Sequence, residues 1–314
     1  RYPLDELSPE AYFKTANDLK LYANRFYPLL PSHSSYGGGT FWFEKNSDNL
    51  VPGSIDLRFS GTRTIPSSGG GWDWSEIRQA NYFLDHCYTA DDDPANIIVY
   101  IAEVKFFKAM LYFEKVKTFG DVPWINKALN TESPELFASR DSRKVVVDSI
   151  IFQLDYAIAN LKPKSSAEPF RINMETALLM KARICLYEGT WEKYHANTPF
   201  GVSGQDGSEF LMKAAAAASQ LMQMGTLSLY KGPAGTEYLS LFNKLDYTGN
   251  PEVVLWKKYD VGLGVYHQVS SYLSSGAGAH RYLVARGQAL GARRRVALRH
   301  DRADAGGADR NDLE

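Results

Sequence analysis

Apolar positions recur with helical spacing along most of the chain, and residues 94–119 show this most clearly. One face of that segment is formed by Ile97, Tyr100, Ile101, Val104, Phe107 and Leu111. Their i, i+3, i+4, i+7 spacing predicts an α-helix. Phe106, Met110 and Phe113 add a second apolar stripe. Because a helix that is apolar on two sides must bury both, we expect it to lie between neighbouring helices.

Capping residues predict where the first three helices begin and end. Ser8-Pro9 is a typical helix start, and the first helix is expected to reach about Leu30. A second helix is predicted over about residues 74–87. The third is expected to start at Pro94 after the cap supplied by Asp91-Asp92-Asp93, and Gly120 is expected to end it.

Four further elements are predicted downstream. A fourth helix is predicted over about residues 141–161. Its core-facing side chains are expected to be Val145, Ile151, Leu154, Ile158 and Leu161. Asn173 should cap a fifth helix that ends at Gly189, and Ser208 a sixth that ends at Gly225. The sixth carries five consecutive alanines, which permit close helix approach. A short helix near residues 238–245 and a strand over 252–259 are expected to follow.

The order of these elements predicts a mainly all-α fold with long loops and minor β-structure. The second helix is expected to pair with the third, the fourth with the fifth, and the sixth with the seventh. Antiparallel pairs of this kind are typical of tetratricopeptide-like repeats. The spacing is too irregular for a clean 34-residue period.

Charge and composition exclude several classes of protein. The formal net charge is −1, which gives no electrostatic footprint for nucleic acid. No window of about 18 apolar residues predicts a membrane span. The two cysteines, Cys87 and Cys185, lie in apolar helical patterns and are expected to be buried free thiols.

Motifs for catalysis are weak, and we predict a protein that is not an enzyme and needs no cofactor or metal. The glycine triplets lack the lysine and hydroxyl residue of a phosphate-binding loop, and the histidines lack ligand spacing. Asp48, Asp56 and Asp73 are the carboxylates to inspect for glycoside hydrolysis. Asp91–Asp93 is interpreted first as a helix cap and alternatively as a calcium site.

The long loop between the first two helices is the candidate binding region. It places flat aromatic rings beside side chains that donate or accept hydrogen bonds, a combination that suits carbohydrate. The candidate ligand-binding residues are Trp42, Arg63, Trp72, Asp48 and Asn49. The alternative is that the aromatic residues pin the loop to the core, and this interpretation is favoured for Trp74.

The composition changes abruptly near residue 281. Residues 281–314 contain eight arginines and no lysine, serine, threonine, proline or phenylalanine. We therefore expect a helical domain over residues 1–280 and a non-native-looking tail over 281–314, which arises from a frame shift or splice and is disordered. The alternative is a natural basic arm that binds nucleic acid or anionic lipid.

Five phrases, in order, resemble the N-terminal half of SusD/RagB proteins. They are SPEAYFKTANDL near the start, WSEIRQANYFL, EVKFFKAMLY, FGDVP and the segment ending LYEGTW. The resemblance implies a SusD-like α-helical repeat fold. Because family members are considerably longer, it also implies that the second half of such a protein is missing here.

The resemblance implies a nutrient-binding lipoprotein on the outer membrane surface of Bacteroidetes. Such a protein captures oligosaccharide and passes it to a SusC-like TonB-dependent transporter without breaking a bond. Its only membrane contact is an N-terminal lipid anchor, which together with the export signal is expected upstream of this chain. Two alternatives stay open: a helical-repeat adaptor that binds a peptide or protein, and a polysaccharide hydrolase.

Overall fold

The computed structural model describes residues 12–32, 47, 57–232, 234–242, 244 and 246–260. The helices are α1 (Ala16–Ala23), α2 (Leu57–Ser60), α3 (Ser75–His86), α4 (Pro94–Phe119), α5 (Arg143–Asn160), α6 (Met174–His195), α7 (Ser208–Gln223) and α8 (Glu237–Ser240). Short 3-10 segments cover Asn24–Leu29, Cys87–Thr89 and Pro134–Phe137. An isolated antiparallel bridge joins Val122 and Asp141, and no sheet forms among the residues described. The mainly all-α prediction is confirmed.

The chain divides into two compact units. The first contains Arg1–Pro31, Gly53–Leu227 and Val254–Trp256, and the second contains Ser32–Pro52, Ser228–Val253 and Lys257–Glu314. Helices α1 to α7 lie in the first unit and α8 lies in the second. The expected domain boundary near residue 280 and the tail lie outside the described residues and stay predictions.

Consecutive helices of the first unit pack against each other around α4. As predicted, α3 packs on α4 and α5 packs on α6. In addition, α4 packs on α5 and α6 on α7, so the helices form a continuous series as well as pairs. The core of α4 includes Val104, Phe106, Phe107 and Phe113, which confirms that both apolar stripes are buried. The pairing of the sixth helix with the seventh stays a prediction.

The first predicted helix is interrupted, because the chain is not helical at residues 13–15, whereas helical structure from Ala16 to Leu29 agrees with the predicted end near Leu30. A new helix, α1, begins after Thr15, whose side chain accepts a hydrogen bond from Asp18 N while the Asp18 carboxylate accepts Thr15 N. This reciprocal capping box satisfies amides that would otherwise have no partner. The predicted cap at Ser8 lies outside the described residues.

Local capping signals place α4 correctly. The Asp93 carboxylate accepts the Ala95 amide, Pro94 occupies the first turn, and Gly120 ends the helix with a φ of 71°. Asp92 also accepts the amides of Ala16 and Asp93. The interpretation of this acidic run as a helix cap is therefore confirmed.

Gly189 does not end the fifth predicted helix, because α6 continues to His195. A Cβ at Gly189 would lie 2.7 Å from Leu211 Cγ and 2.9 Å from the Gly207 carbonyl oxygen. The residue thus permits the N-terminal turn of α7 to approach the backbone of α6. The predicted cap at Ser208 is also displaced, because Gly207 caps α7 with a φ of 83°.

Two further details of the downstream prediction are wrong. Val145 is 51% exposed, since it lies in the first turn of α5 on the side away from the core. Residues 252–259 form no regular strand. There, the Asn173 side-chain amide donates to the Val254 carbonyl at 3.5 Å, and Trp256 packs edge-to-face on Phe170 at 5.1 Å. Among the described residues, this segment is therefore held by side-chain contacts, and no β-ladder hydrogen bonds contribute.

The irregular segment after α4 is fixed by polar side chains of α3 and α4. Asn81 Nδ2 donates to the carbonyls of Ile125 and Lys127 at 3.0 and 3.2 Å. The Tyr112 hydroxyl accepts the Ile125 amide at 2.8 Å, and Asp85 accepts the Ala128 amide at 2.8 Å. We call residues 125–128 the strap.

Within the described part of the chain, no helix combines the length and the apolar character that a membrane-spanning helix requires.

Candidate functional site

The segment that leads into α3 presents Trp72 at the surface. Residues 61–73 are all exposed, and three glycines precede the tryptophan. Gly69, Gly70 and Gly71 have φ values of 71°, 63° and 86°, which only glycine adopts without strain. The Trp72 amide donates to the Gly69 carbonyl at 3.1 Å and closes this turn. The glycine triplet therefore sets the direction of the tryptophan.

The Trp72 ring packs edge-to-face on two aromatic residues and stays 39% exposed. Its centroid lies 5.1 Å from that of Trp74 and 4.8 Å from that of Phe119. Trp74 in turn packs on Tyr112, a core residue, at 5.9 Å. The expectation that Trp74 packs against the core is confirmed. Trp72 is thus a partly exposed ring on a rigid base.

Two cations lie at this aromatic group. Arg140 Cζ lies 4.8 Å from the Trp72 centroid. Lys115 Nζ donates to the Gly71 carbonyl at 2.6 Å and lies 5.7 Å from the Trp74 centroid. Partial burial lowers the pKa of Lys115. We call Trp72, Trp74, Phe119, Arg140 and Lys115 the Trp72 surface.

Asp73 is the carboxylate nearest to this surface in sequence, and its role is structural. Its Oδ1 accepts the Ser75 amide at 2.9 Å, at the start of α3. This hydrogen bond lowers the pKa of Asp73, so the group is an anion at neutral pH. A carboxylate in this state suits a helix start and cannot serve as a general acid.

The structure tests only part of the predicted ligand set. Trp42, Asp48 and Asn49 lie outside the described residues. Arg63 is exposed on the same segment as Trp72, but it is not among the described residues in contact with the Trp72 ring. The ligand role of these residues stays a prediction.

No pattern in the sequence predicts that Arg140 and Lys115 lie beside Trp72. Lys115 is a half-buried residue of α4, and the helical pattern alone does not show which loop its side chain contacts. Arg140 comes from the irregular chain before α5, where no periodic pattern exists. Its approach to Trp72 depends on how that chain folds back over α3 and α4.

A second concave feature lies between α4 and the loop before α6. This cavity of about 90 Å³ is lined by Tyr100, Glu103, Lys162, Glu168 and Arg171, among others. Arg171 donates to both Glu103 oxygens, at 2.8 and 2.5 Å, and to Asn24 Oδ1 at 2.7 Å. Burial raises the pKa of Glu103 although Arg171 opposes the shift. Because Arg171 and Glu103 already neutralise each other, we interpret this ion pair as one that stabilises the fold and does not bind a ligand.

The part of the chain that the structure describes contains no cluster of three or more histidine, cysteine or acidic side chains suited to a metal ion. Cys87 and Cys185 are both buried and unbridged, as predicted.

No family model matches the chain. SusD-like protein P38 of Formosa agariphila is 26% identical over 273 residues, which are 82% of this chain and 49% of that protein. SusD-like protein P2 of the same organism is 26% identical over 220 residues, or 65% of this chain and 42% of that protein. The chain therefore spans about half the length of the relatives it matches.

Solved structures show the same fold. A SusD-like carbohydrate-binding protein from Bacteroides fragilis superposes with a TM-score of 0.62 at 19% identity, covering 80% of this chain and 48% of that one. A second SusD-like protein from that organism gives a TM-score of 0.59 at 20% identity, covering 83% and 48%. The similarity in sequence to SusD-like proteins and the helical fold shared with them confirm the predicted resemblance of this chain to the SusD/RagB family.

Proposed function

We propose that this protein binds oligosaccharide at the cell surface without cleaving it. The observation that carries the proposal is a partly exposed tryptophan on a rigid aromatic base in a SusD-like fold. A structural neighbour of that fold is a carbohydrate-binding protein. The protein then delivers the ligand to a SusC-like TonB-dependent transporter of the outer membrane. A lipid anchor holds the protein at that membrane.

The geometry of Trp72 suits a sugar ring. Sugars expose apolar C–H faces that stack on aromatic rings, and the surrounding hydroxyls pair with polar groups. Trp74 and Phe119 fix the Trp72 ring at 5.1 and 4.8 Å. A ring that is already fixed loses little conformational freedom when a ligand binds, so more of the contact energy appears as affinity.

Binding without hydrolysis fits the state of the nearby carboxylates. Glycoside hydrolysis needs one carboxyl group that holds a proton and a second that acts as base or nucleophile. Asp73 is held as an anion by the Ser75 amide, and Glu114 pairs with Lys117 at 2.6 Å. Both carboxylates are therefore used for local structure.

Affinity gel electrophoresis of the full chain through a panel of soluble polysaccharides tests the proposal. We expect retardation by at least one glycan, and we expect Trp72→Ala to weaken that binding about tenfold. Phe152→Ala is the matched control, because Phe152 is an exposed aromatic residue of α5, 68% accessible, and its loss should not change retardation.

Two outcomes would contradict the proposal. Unretarded migration through every glycan, together with capture of a peptide or protein ligand, would favour the adaptor alternative. New reducing ends after incubation with polysaccharide would favour the hydrolase alternative. Delivery is tested separately, by co-expression and co-purification with a SusC-like barrel transporter, and failure to co-purify would remove that part of the proposal.

A further inference from the structure

We infer that the Trp72 surface selects acidic glycans, in which sugar units carry carboxylate or sulfate groups. The inference rests on the proposed function, because it names the class of oligosaccharide that the same site would take. It depends on the positions of Arg140 and Lys115 beside the aromatic rings of this surface.

Arg140 is placed to read an anion on a stacked sugar. Its guanidinium lies 4.8 Å from the Trp72 centroid, and the residue is exposed. None of the described acidic side chains forms an ion pair with it. A guanidinium carries five N–H donors in a planar fork, and those donors match a carboxylate or sulfate in a two-point contact.

Lys115 adds a second positive charge at the base of the site. Its ammonium is fixed by the Gly71 carbonyl at 2.6 Å and lies 5.9 Å from the Phe119 centroid. A single carbonyl uses one of the three donors of an ammonium group. The charge therefore stays close to Trp72 and is not cancelled by this contact.

The acidic residues next to the surface are directed to backbone amides. Asp73 accepts Ser75 N, Asp121 accepts Arg143 N at 2.8 Å, and Asp141 accepts Trp124 N at 2.7 Å. Glu114 is paired with Lys117. These groups reduce the local field but do not form an ion pair with either cation of the Trp72 surface. The surface thus presents cationic donors beside an aromatic ring, although the whole chain has a net charge of −1.

The arrangement gives the two parts of an acidic sugar different partners. The ring of Trp72 would contact the C–H face, and Arg140 would contact the acid group that projects beside it. A neutral sugar of the same shape would gain the first contact only. Attraction between exposed charges is screened by salt, so the preference for the acidic polymer should shrink as ionic strength rises.

The test compares polygalacturonate with the same polymer after reduction of its carboxylates to alcohols, and adds a sulfated galactan. The full chain is run through affinity gels that contain each polymer. We expect polygalacturonate or the sulfated galactan to bind about tenfold more tightly than the reduced polymer, and the difference to fall between about 50 and about 500 mM NaCl.

Arg140→Gln should remove most of this preference while leaving the weak binding of the reduced polymer unchanged. Arg183→Gln is the matched control, because Arg183 is an exposed arginine of α6 and the change in net charge is the same. Trp72→Ala should weaken binding of all three polymers. Preference for one acidic polymer over the other tells whether carboxylate or sulfate is the group recognised.

Equal binding of the reduced and acidic polymers would overturn the inference and leave the proposed function standing. The inference would also be overturned if the acidic polymers still bound to the Trp72→Ala variant. It would be overturned as well if Arg183→Gln weakened their binding as much as Arg140→Gln, since the attraction would then not depend on the Trp72 surface. Absence of binding to these polymers and to every neutral glycan of the wider panel would remove both the inference and the proposed function.

Discussion

Arg143 at the start of α5 and Glu188 in α6 form an ion pair that is almost completely buried. Arg143 Nε donates to Glu188 Oε1 and Nη2 donates to Oε2, both at 2.7 Å. The two side chains are 6% and 0% exposed. The guanidinium also lies 4.3 Å from the centroid of Trp191. The pair therefore fixes the position of α5 against the middle of α6.

Removal of one partner should be costly. Because Glu188→Gln leaves a buried guanidinium without its anion, we expect the free energy of unfolding to fall by about 3–5 kcal/mol in urea denaturation. Asp155→Asn is the control, since its pair with Lys181 is partly exposed and should contribute less than about 1 kcal/mol. Equal losses in the two variants would contradict the role given to the buried pair.

Gly189→Ala should destabilise the protein although alanine is the better helix former. The new Cβ would lie 2.9 Å from the backbone atoms Gly207 O and Leu211 N, which no change of rotamer can move. We expect a net loss of about 1–3 kcal/mol in urea denaturation, against a gain of about 1 kcal/mol from helix propensity. Thr190→Ala, at the next position, should change stability by less than about 0.5 kcal/mol. Stabilisation by Gly189→Ala would show that α6 and α7 can separate at little cost.

Glu192 should make stability depend on pH. Both of its carboxylate oxygens are buried without a hydrogen-bond partner in the described structure. Burial, followed by the nearby Glu188, raises the pKa of Glu192 from 4.5 to about 7, while Lys144 opposes the shift. The folded protein then keeps a proton that the unfolded chain loses, so stability from this group is lost as pH rises from about 4.5 to about 7.

The variant Glu192→Gln should remove this dependence. We expect it to be about 1–2 kcal/mol more stable than the parent protein at pH 8 and nearly equal to it at pH 4.5, by urea denaturation at each pH. Glu209→Gln is the control for a carboxylate whose pKa shifts in the other direction, because hydrogen bonds from Lys213 and Lys144 lower the pKa of Glu209. Parallel pH profiles for the parent and Glu192→Gln would contradict this account.

The two thiols should be unreactive in the folded protein. Cys87 and Cys185 are fully buried, and burial raises their pKa values to about 12 and about 11. Since the thiolate is the reactive species, we expect a thiol reagent at pH 8 to label neither residue until the protein unfolds in urea. A Ser219→Cys variant, exposed on α7, should react at once and calibrates the assay. Rapid labelling of the parent protein would show that the core opens locally.

Local signals explain the parts of the fold that the sequence predicts well. Asp93 before Pro94, Gly120 and Asn173 each act on amides or dihedral angles within a few residues, so their roles can be recognised without knowledge of the fold. Thr15 also belongs to this class, because its capping box with Asp18 spans only three residues and interrupts the apolar pattern that continues from Ser8.

Tertiary contacts explain the parts that could not be predicted. Gly189 has the composition of a helix stop, and only the position of α7 reveals that it permits close packing. The candidate site divides in the same way. Trp72 stands out in the sequence as an aromatic residue of a long loop, whereas Arg140 reaches its ring through the folding of a distant segment.

The strap has a consequence for the dynamics of the protein. Its residues have no regular secondary structure, yet the Ile125 amide is held by Tyr112, and Asn81 donates to the carbonyls of Ile125 and Lys127. Tyr112 and Asn81 belong to α4 and α3 and are both fully buried. Hydrogen exchange at Ile125 should therefore be slow, because this amide can reach solvent only when the strap detaches from the buried Tyr112 hydroxyl.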